Sequence, residues 1–419
     1  MTATPVSRFN RITEEGLCVG CGICQALVGE ETIQIRTMPS GYQRPVVVGE
    51  LSDRDVDRIY AICPGTMLEG LPETAYDSDT RHDNVWGPWQ RMVRAYAADP
   101  QVRFEGSTGG VLSALAQYLL RSKRVDFIFH AKASLSEPTF GAPHVSLTEA
   151  QVMEGAGSRY GPTAILTEIN DILARNQPFA FIGKPCDISA LRNYSKYDDR
   201  VDKLVKFWLT PVCGGFFPPD LMNSFLAGIG IDRRELTGFR YRGRGCPGPM
   251  RAETADKVVE AHYVDMWGTE EGKWTLPWRC KICPDGIGDG ADIAASDTWI
   301  GGSPNREDSK TDPGTNAIIA RTAAGRDLIE AAERDGALTI EYDVAPDDLS
   351  VYQPHQMHKK YAVWARLQGL ADEGYLVPKT ERLRLEELAA EMPERVADYE
   401  RNGTRERVRA GKAREDTPV

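Results

Sequence analysis

Three cysteines follow one another at a strict spacing of three residues near the start of the chain, at Cys18, Cys21 and Cys24. Thiolates at this spacing on one tight loop are typical ligands of an iron–sulfur cluster. Two glycines stand between them, and glycine lets the backbone curl around a cluster and direct its amides at the sulfurs. A valine occupies position 28, where a two-cluster bacterial ferredoxin would place its fourth cysteine. The fourth ligand must therefore come from elsewhere in the chain.

Cys63 supplies a suitable fourth thiol. It lies in the sequence "AICPGTM", where the proline keeps the chain from continuing as a helix beside a cluster. Together with Cys18, Cys21 and Cys24 it is predicted to hold one [4Fe–4S] cluster. A zinc site is the alternative, but zinc sites favour paired Cys-x-x-Cys units with Cys or His partners. A triple at this spacing favours iron.

Four more cysteines lie in loops that are expected to converge. Cys186 follows the apolar run "FAFIG" and Cys213 follows "LVKFWLT", and both runs predict short strands. Ligands gather at the carboxyl ends of strands in open α/β sheets. Cys280 and Cys283 form a Cys-x-x-Cys unit in "WRCKICPDGIGDGADIAASDTW", a segment with no helix or strand period. These four thiols predict a second [4Fe–4S] cluster; alternatively, Cys186 or Cys213 is a buried, small apolar side chain.

The ninth cysteine, Cys246, lies in the basic, glycine-rich segment "YRGRGCPGPMR". It could replace Cys186 or Cys213 as a ligand, serve as a thiol near a reacting substrate, or do neither. The neighbouring arginines would depress the pKa of its thiol if they lay close in space. A solvated loop is the alternative interpretation of this segment.

A small-residue loop precedes a predicted helix in "EGSTGGVLSALAQYLLR". Ser107 is the predicted N-cap, and Val111, Leu115 and Leu119 form an apolar helix face. A buried strand, "VDFIFHAK", is predicted next. Free amides, a hydroxyl and glycines at a helix N-terminus suit an anion such as phosphate, although many such caps bind nothing.

Length and composition limit the remaining possibilities. A chain of 419 residues predicts two or three domains. Its net charge of −11 opposes nucleic acid as a partner, because phosphate binding needs a basic face. No apolar stretch is long enough to predict a membrane span, and the first twenty residues lack the apolar segment of a secretory signal. We therefore expect a cytoplasmic protein whose clustered cysteines bind metal rather than form disulfides.

Several motifs, taken in order, resemble one protein family. They are the cysteine triple, Cys-Pro-Gly, "STGGVLSAL", "GSRYGPT", "IGKPCDISALR", "PVCGG", "CKICPD" and "GTNAIIARTAAGRDLI". In this order the chain resembles the coenzyme F420 hydrogenase/dehydrogenase beta-subunit family over about residues 14–345. That family includes 7-hydroxymethyl chlorophyll a reductase and a ferredoxin-dependent 8-vinyl reductase.

The resemblance implies FAD held against an iron–sulfur relay. The residues that match the family's flavin motifs are Ser107, Thr108, Gly109, Gly110, Ser158, Arg159, Tyr160, Lys184 and Pro185. Lys184 departs from the Gly-Thr-Pro-Cys of many relatives and adds a cation that could pair with a flavin phosphate. The segment around Cys246 is also unlike the F420-reducing members, which argues against F420 specificity.

These parts predict an FAD- and [4Fe–4S]-dependent reductase or dehydrogenase. Electrons would pass from a ferredoxin-like donor through two clusters to FAD, and then to a small, cyclic conjugated organic substrate. Candidate proton donors are Tyr160, His130, Asp297 and Cys246, each of which could instead be a packed or solvated residue. The alternative is an electron-transfer beta subunit, linked to F420 or ferredoxin, within a larger redox complex and without a substrate of its own.

The expected fold class is α/β, or α+β overall. We predict a ferredoxin-like module over residues 1–95, an FAD-binding α/β catalytic domain over 96–345, and a C-terminal extension over 346–419. A helix in this extension carries Val363, Leu367 and Leu370 on one side. From residue 379 onward, dense charge of both signs predicts a solvated helix and a disordered tail. The extension could also support association, for example in a homo-oligomer.

Overall fold

The computed structural model of the protein describes residues 3–415. Its main element is an eight-stranded mixed sheet. In spatial order, the strands are Leu338–Asp343, Arg91–Ala97, Asn316–Ala320, Ile293–Asp297, Val205–Pro211, Phe179–Ile182, Phe127–Ala133 and Gly141–Ser146. The four strands from Ile293–Asp297 to Phe127–Ala133 run parallel, and their outer neighbours pair antiparallel. This mixed α/β architecture agrees with the predicted class.

Helices cover both faces of the sheet, which is why its central strands are nearly continuous apolar runs. One face packs against the helices Pro100–Glu105, Val111–Arg121, Glu149–Glu154 and Ala323–Arg334. The other packs against the helices Ile23–Val28, Ile169–Ala174, Pro185–Tyr194 and Arg200–Leu204. The predicted helix after the small-residue loop and the predicted strands around residues 127, 179 and 205 are confirmed. The segment predicted to lack regular structure instead contributes the short helix Trp278–Lys281 and the buried strand Ile293–Asp297.

The first seventy residues form a small unit around the cysteine triple. It contains the helices Pro5–Glu14 and Asp53–Ile62 and the hairpin Ile33–Thr37 with Gln43–Val47. Ser52 caps the helix Asp53–Ile62 in a capping box, and Cys63 directly follows this helix. A short strand, Met67–Glu69, then pairs in parallel with Lys379–Glu381 of the C-terminal extension. The ferredoxin-like character of this unit and the proposed domain boundaries stay predictions.

Two smaller sheets complete the strands. An antiparallel sheet of Leu236–Arg240, Pro249–Thr254 and Val258–His262 packs with the helices Pro219–Gly228 and Tyr263–Trp267 into a separate apolar cluster. A hairpin pairs Arg81–Asp83 with Gly87–Trp89. The antiparallel sheet carries the basic segment with Cys246 between its first two strands.

The C-terminal extension is helical and packed, with helices Pro346–Tyr352, Pro354–Asp372, Leu385–Glu391 and Glu394–Arg409. The predicted apolar face of Val363, Leu367 and Leu370 is confirmed, since all three side chains are buried. The predicted disordered tail is wrong as far as residue 415. Val408 and Ala413 are buried in the core around the cysteine triple, and charges predicted to be solvated form ion pairs across the helices. Residues 416–419 lie outside the described residues.

A buried ion cluster joins this extension to the rest of the protein. Asp289, in the glycine-rich loop after Cys283, is fully buried and accepts hydrogen bonds from Lys360 at 2.6 Å and from Arg384 at 2.8 and 3.0 Å. The guanidinium of Arg321 lies 3.7 Å from the same carboxylate. Burial acts to raise the pKa of Asp289, but the three cations outweigh it and the pKa is lowered.

Within the described residues, no helix is long and apolar enough to cross a membrane.

Candidate functional site

A cavity of about 340 Å³ lies at the edge of the sheet where the parallel strands end. It is lined by residues from most of the predicted site motifs. From the predicted flavin and catalytic sets these are Ser107, Thr108, Gly110, His130, Ser158, Arg159, Tyr160, Lys184 and Asp297, and from the predicted cluster ligands Cys18, Cys186, Cys213 and Cys280. Motifs spread over most of the chain therefore meet at one cavity, as the strand-end argument predicts.

The small-residue loop reaches the cavity with a geometry that differs from the prediction. The helix Val111–Arg121 is capped by Gly110, whose φ of 71° favours glycine, and not by Ser107. The Ser107 hydroxyl instead accepts a hydrogen bond from Ser158 at 2.9 Å. Gly109 does not line the cavity, and a Cβ there would lie 2.7 Å from the side-chain oxygen of Asn316. Gly109 thus permits close packing on a neighbouring strand, and Gly110 is the glycine on the cavity wall.

A buried arginine, Arg242, ties the small-residue loop to the end of a sheet strand. Arg242 donates to both carboxylate oxygens of Asp297, at 2.6 and 2.8 Å, and also to the hydroxyl of Thr108. Thr108 in turn donates to Asp297. Burial acts to lower the pKa of Arg242, but attraction to Asp297 outweighs it and the pKa is raised. Since the carboxylate of Asp297 is held by a permanent cation, it serves here as a structural anion and as an acceptor at the cavity wall.

Lys184 also has a partner inside the protein. Its ammonium lies 2.7 and 2.9 Å from the two carboxylate oxygens of Asp187. Burial acts to lower the pKa of Lys184, but attraction to Asp187 raises it above its usual value. The lysine is therefore charged and lies on the cavity wall, with its charge partly balanced by Asp187 before any ligand phosphate binds.

His130 lies on the strand Phe127–Ala133 with its ring buried. Its Nε2 is 2.7 Å from the hydroxyl of Ser146, and its ring packs edge to face on that of His144. Burial and, to a smaller extent, repulsion from His144 lower the pKa of His130 from 6.5 to about 4. The imidazole is therefore neutral at pH 7 and can donate a hydrogen bond but carries no charge to share with a substrate.

This lowered pKa predicts a pH-dependent stability. Between pH 6.5 and pH 5 an unfolded chain protonates this histidine while the folded chain does not, so the folded state loses stability as the pH falls. Over that window the loss amounts to about 2 kcal/mol. His130→Gln should remove this part of the dependence. Urea unfolding of the wild-type protein and the His130 variant at pH 7.5 and pH 5 measures this difference. An identical loss of unfolding free energy in the two proteins would contradict the prediction.

The first cysteine group gathers at one point of the fold. The amide of Gly20 donates to the sulfur of Cys18 at 3.4 Å, and that of Gly65 donates to the sulfur of Cys63 at 3.3 Å. Burial, followed by repulsion from Cys18, raises the pKa of the Cys63 thiol to about 12. Cys24 likewise lies within electrostatic reach of Cys18 and Cys63, and Cys21 within reach of Cys63. The tertiary structure thus brings Cys63 to the cysteine triple, as predicted.

The second cysteine group gathers at the carboxyl edge of the sheet. Cys186 lies in the first turn of the helix Pro185–Tyr194, after the strand Phe179–Ile182, and Cys213 follows the parallel neighbouring strand Val205–Pro211. Burial, followed by repulsion from Cys280 and Cys283, raises the pKa of the Cys213 thiol to about 12. Burial is the main reason that the pKa of Cys186 is also raised, and repulsion from Cys213 and Cys283 raises it further. These four thiols therefore lie near one another although they come from three separate loops.

Cys246 lies apart from both groups. Its buried thiol is 3.4 Å from a carboxylate oxygen of Asp312 and accepts from the indole of Trp299 at 3.4 Å. Burial raises the pKa of this thiol to about 12, so the expected effect of nearby arginines is overridden. Such a thiol is protonated and unreactive at neutral pH.

Within residues 3–415, no group of three or more His, Cys, Asp or Glu side chains is arranged so that it could hold a single metal ion.

Sequence reasoning missed several cavity residues. Trp267 and Trp274 come from the region of the small sheet, and Gln353 and His355 come from the C-terminal extension. The extension received no chemical role from its sequence, because its helix contains none of the motifs and no cysteine. A buried histidine directly after a proline at a helix start was the available signal.

The fold and the cavity define an α/β protein with a ligand site at its strand ends. Two family models of the coenzyme F420 hydrogenase/dehydrogenase beta subunit match it, one for the N-terminal part over residues 92–170 and one for the C-terminal part over residues 177–344. Together they cover more than half of the chain. The chain belongs to the coenzyme F420 hydrogenase/dehydrogenase beta-subunit family, which confirms the resemblance.

Individual relatives are distant. The chain is 27% identical to the coenzyme F420 hydrogenase subunit beta of Methanococcus voltae, over 66% of this chain and 92% of that protein. It is 24% identical to the F420-dependent formate dehydrogenase 1 subunit beta of Methanococcus maripaludis, over 58% of this chain and 60% of that one. It is 21% identical to the coenzyme F420-dependent sulfite reductase of Methanocaldococcus jannaschii, over 80% of this chain and 49% of that protein. The chain thus spans only part of the last two relatives.

A solved structure shares the fold. A chain of the F420-reducing [NiFe] hydrogenase complex from Methanosarcina barkeri matches with a TM-score of 0.52 and 20% identity, covering 67% of this chain and 92% of that one. The likeness shows that the two chains share a fold. The residues from 345 onward lie outside both family models, and so do residues 1–91.

Proposed function

We propose that the protein is an electron-transfer flavoprotein of the beta-subunit type, with FAD in the cavity and a [4Fe–4S] cluster on each cysteine group. One observation carries this proposal: thiols of both cysteine groups and the loops that match flavin motifs line the same cavity. When bound, the clusters would supply single electrons and FAD would convert between one- and two-electron chemistry. A partner redox protein, of the kind named among the relatives, would donate or accept the electrons.

The residues present fit these groups. Each cysteine group offers four thiols, the ligand number of a [4Fe–4S] cluster, and backbone amides already point at two sulfurs of the first group. On the cavity wall, Lys184 and Arg159 offer cationic groups to phosphate oxygens. Ser107 and Ser158 add hydroxyl groups beside them.

A second candidate function is the reduction of a small, cyclic conjugated substrate by this chain itself. The observation that favours it is the aromatic lining of the cavity by Tyr160, Tyr263, Trp267 and Trp299, which offers ring faces to a planar ligand. The electron-transfer proposal has the stronger support, because the relatives include beta subunits of hydrogenases and formate dehydrogenases.

One experiment tests the proposal and separates the candidates. Protein purified without oxygen should contain about one FAD and about eight iron per chain, and dithionite should bleach the flavin absorption. After removal of dithionite, oxidised ferredoxin and F420 are added separately. Reoxidation of the flavin by either supports the electron-transfer function, whereas reoxidation only by small conjugated quinones or tetrapyrroles favours the reductase. A preparation without FAD would contradict both.

A further inference from the structure

One wall of the cavity consists of ring side chains in mutual contact. Tyr160 packs on Trp267 with ring centroids 5.1 Å apart, Trp267 lies 6.4 Å from Trp274, and Trp274 lies 5.2 Å from His355. All four rings line the cavity. The last of them, His355, belongs to the C-terminal extension and lies outside both family models.

Three ring nitrogens on this wall lack hydrogen-bond partners. The Nδ1 atom of His355 and the Nε1 atoms of Trp267 and Trp274 are buried, and none has a partner within residues 3–415. His355 is only 5% exposed. A buried polar group without a partner costs free energy, and native proteins rarely leave such groups unpaired. Three of them on adjacent rings indicate a place where a ligand supplies the missing partner.

The extension holds His355 firmly at this place. Gln353, two residues before it, donates to the backbone oxygen of Asp297 at 2.9 Å. Gln356, one residue after it, donates to the backbone oxygen of Cys213 at 2.7 Å. Both partners lie at the carboxyl ends of sheet strands on the cavity edge. The histidine is therefore fixed on both sides to the site, which a residue that merely filled space would not require.

The chemistry of the unpaired groups defines the missing partner. An indole N–H is a donor only, so the two tryptophans need an acceptor. Burial, followed by repulsion from Lys359, lowers the pKa of His355 to about 3. The imidazole is thus neutral at pH 7 and carries one N–H that can also donate. An oxygen acceptor can satisfy these donors, and the ring faces beside them suit a planar ligand.

We propose that His355, Trp267 and Trp274 form a subsite that hydrogen-bonds an oxygen acceptor, either a carbonyl or a carboxylate, on a planar ring ligand in the cavity. The inference rests on the proposed function in one respect, that this cavity is where the protein's redox ligand binds. It makes the C-terminal extension a part of the binding site. His355 is then a specificity-determining residue that selects ligands by their polar group.

The test uses three planar probes that differ in one group: phenazine, phenazine-1-carboxamide and phenazine-1-carboxylate. Each is titrated into the oxidised, full-length holoprotein while quenching of tryptophan fluorescence is followed. At least one of the two substituted probes should bind about 10-fold more tightly than phenazine, because it gains hydrogen bonds that phenazine cannot make. The substituted probe that binds more tightly shows whether the subsite prefers a carboxylate or an amide carbonyl.

Three variants assign the preference to the subsite. His355→Leu should abolish it, while Trp274→Phe, which keeps the ring but loses the N–H, should reduce it. The matched control is His358→Leu, an exposed position one turn along the same helix, which should keep the full preference. His355→Phe keeps a planar ring without a hydrogen-bonding nitrogen and serves as the test variant if the leucine variant does not fold.

Two results would overturn the subsite: equal or undetectable binding of the three probes by the wild-type protein, or a preference that survives unchanged both in the folded His355 variant, Leu or Phe, and in Trp274→Phe. FAD and iron are measured in the same samples. A protein without FAD that still discriminates among the probes would overturn the proposed function and keep the subsite. A reducible flavoprotein that binds the three probes equally would support the proposed function and overturn the subsite.

Discussion

Replacing Cys21 with Ser is expected to remove about half of the bound iron and acid-labile sulfide. The two cysteine groups are built on separate loops, so losing one ligand should destroy one [4Fe–4S] cluster and spare the other. Of about eight iron per chain, about four should remain. Colorimetric iron and sulfide analysis of protein purified without oxygen measures this, and FAD absorption should persist because the flavin contacts lie elsewhere on the cavity wall.

Two further cysteine variants serve as the comparison. Cys283→Ser removes a ligand of the second group and should halve the iron in the same way. Cys246→Ser changes a buried thiol that lies near neither group and should leave the iron content unchanged. Full iron in the Cys21 variant, or zinc in place of iron in the wild-type protein, would show that the cluster assignment is wrong.

Replacing Asp289 with Asn is expected to lower the free energy of unfolding by about 3–5 kcal/mol. The carboxylate is fully buried between Lys360, Arg384 and Arg321, and a neutral amide would leave these cations without their counter-charge. Because the pKa of Asp289 is lowered in the folded state, the carboxylate's contribution is complete above the ordinary carboxyl pKa. It is lost only as the pH falls towards the lowered value.

Urea unfolding at pH 7.5 measures this effect, and limited proteolysis shows where the structure loosens. Since Lys360 and Arg384 belong to the C-terminal extension, new cleavage sites should appear after residue 345. Asp372→Asn is the matched control, because it breaks a solvent-exposed pair with Arg401 in the same extension and should shift the unfolding midpoint little. An unchanged unfolding midpoint in the Asp289 variant would contradict the stabilising role of the buried cluster.

The sequence predicted the cysteine groups because their signal is local or depends on a general topological rule. The triple at Cys18, Cys21 and Cys24 is readable from spacing alone. Cys186 and Cys213 were placed together because strands ending in cysteine share an edge when they are parallel, and the pairing of their strands is parallel. Cys63 lies near the triple because a helix with a clear capping box ends directly before that residue, and its role as a cluster ligand stays a prediction.

The local predictions that failed were decided by packing. Ser107 resembles an N-cap in sequence, but the turn continues to Gly110 because only a residue without a Cβ fits its positive φ and the neighbouring chain. The disordered tail was predicted from charge density. Its charges instead form ion pairs between helices, and burial of Val408 and Ala413 in the core around the cysteine triple orders the segment.

By itself, the sequence determined which groups can do chemistry: eight thiols in two sets, a small-residue loop and the family to which they belong. The tertiary structure decided which groups meet. It separated Cys246 from the other thiols, tied Asp297 to Arg242, and brought His355 of the extension to the cavity. The physical reason is that ligand type and spacing are properties of short segments. The position of a side chain in a shared cavity depends on burial and on hydrogen bonds between segments far apart in sequence, such as the bond from Gln356 to the backbone of Cys213, 143 residues away.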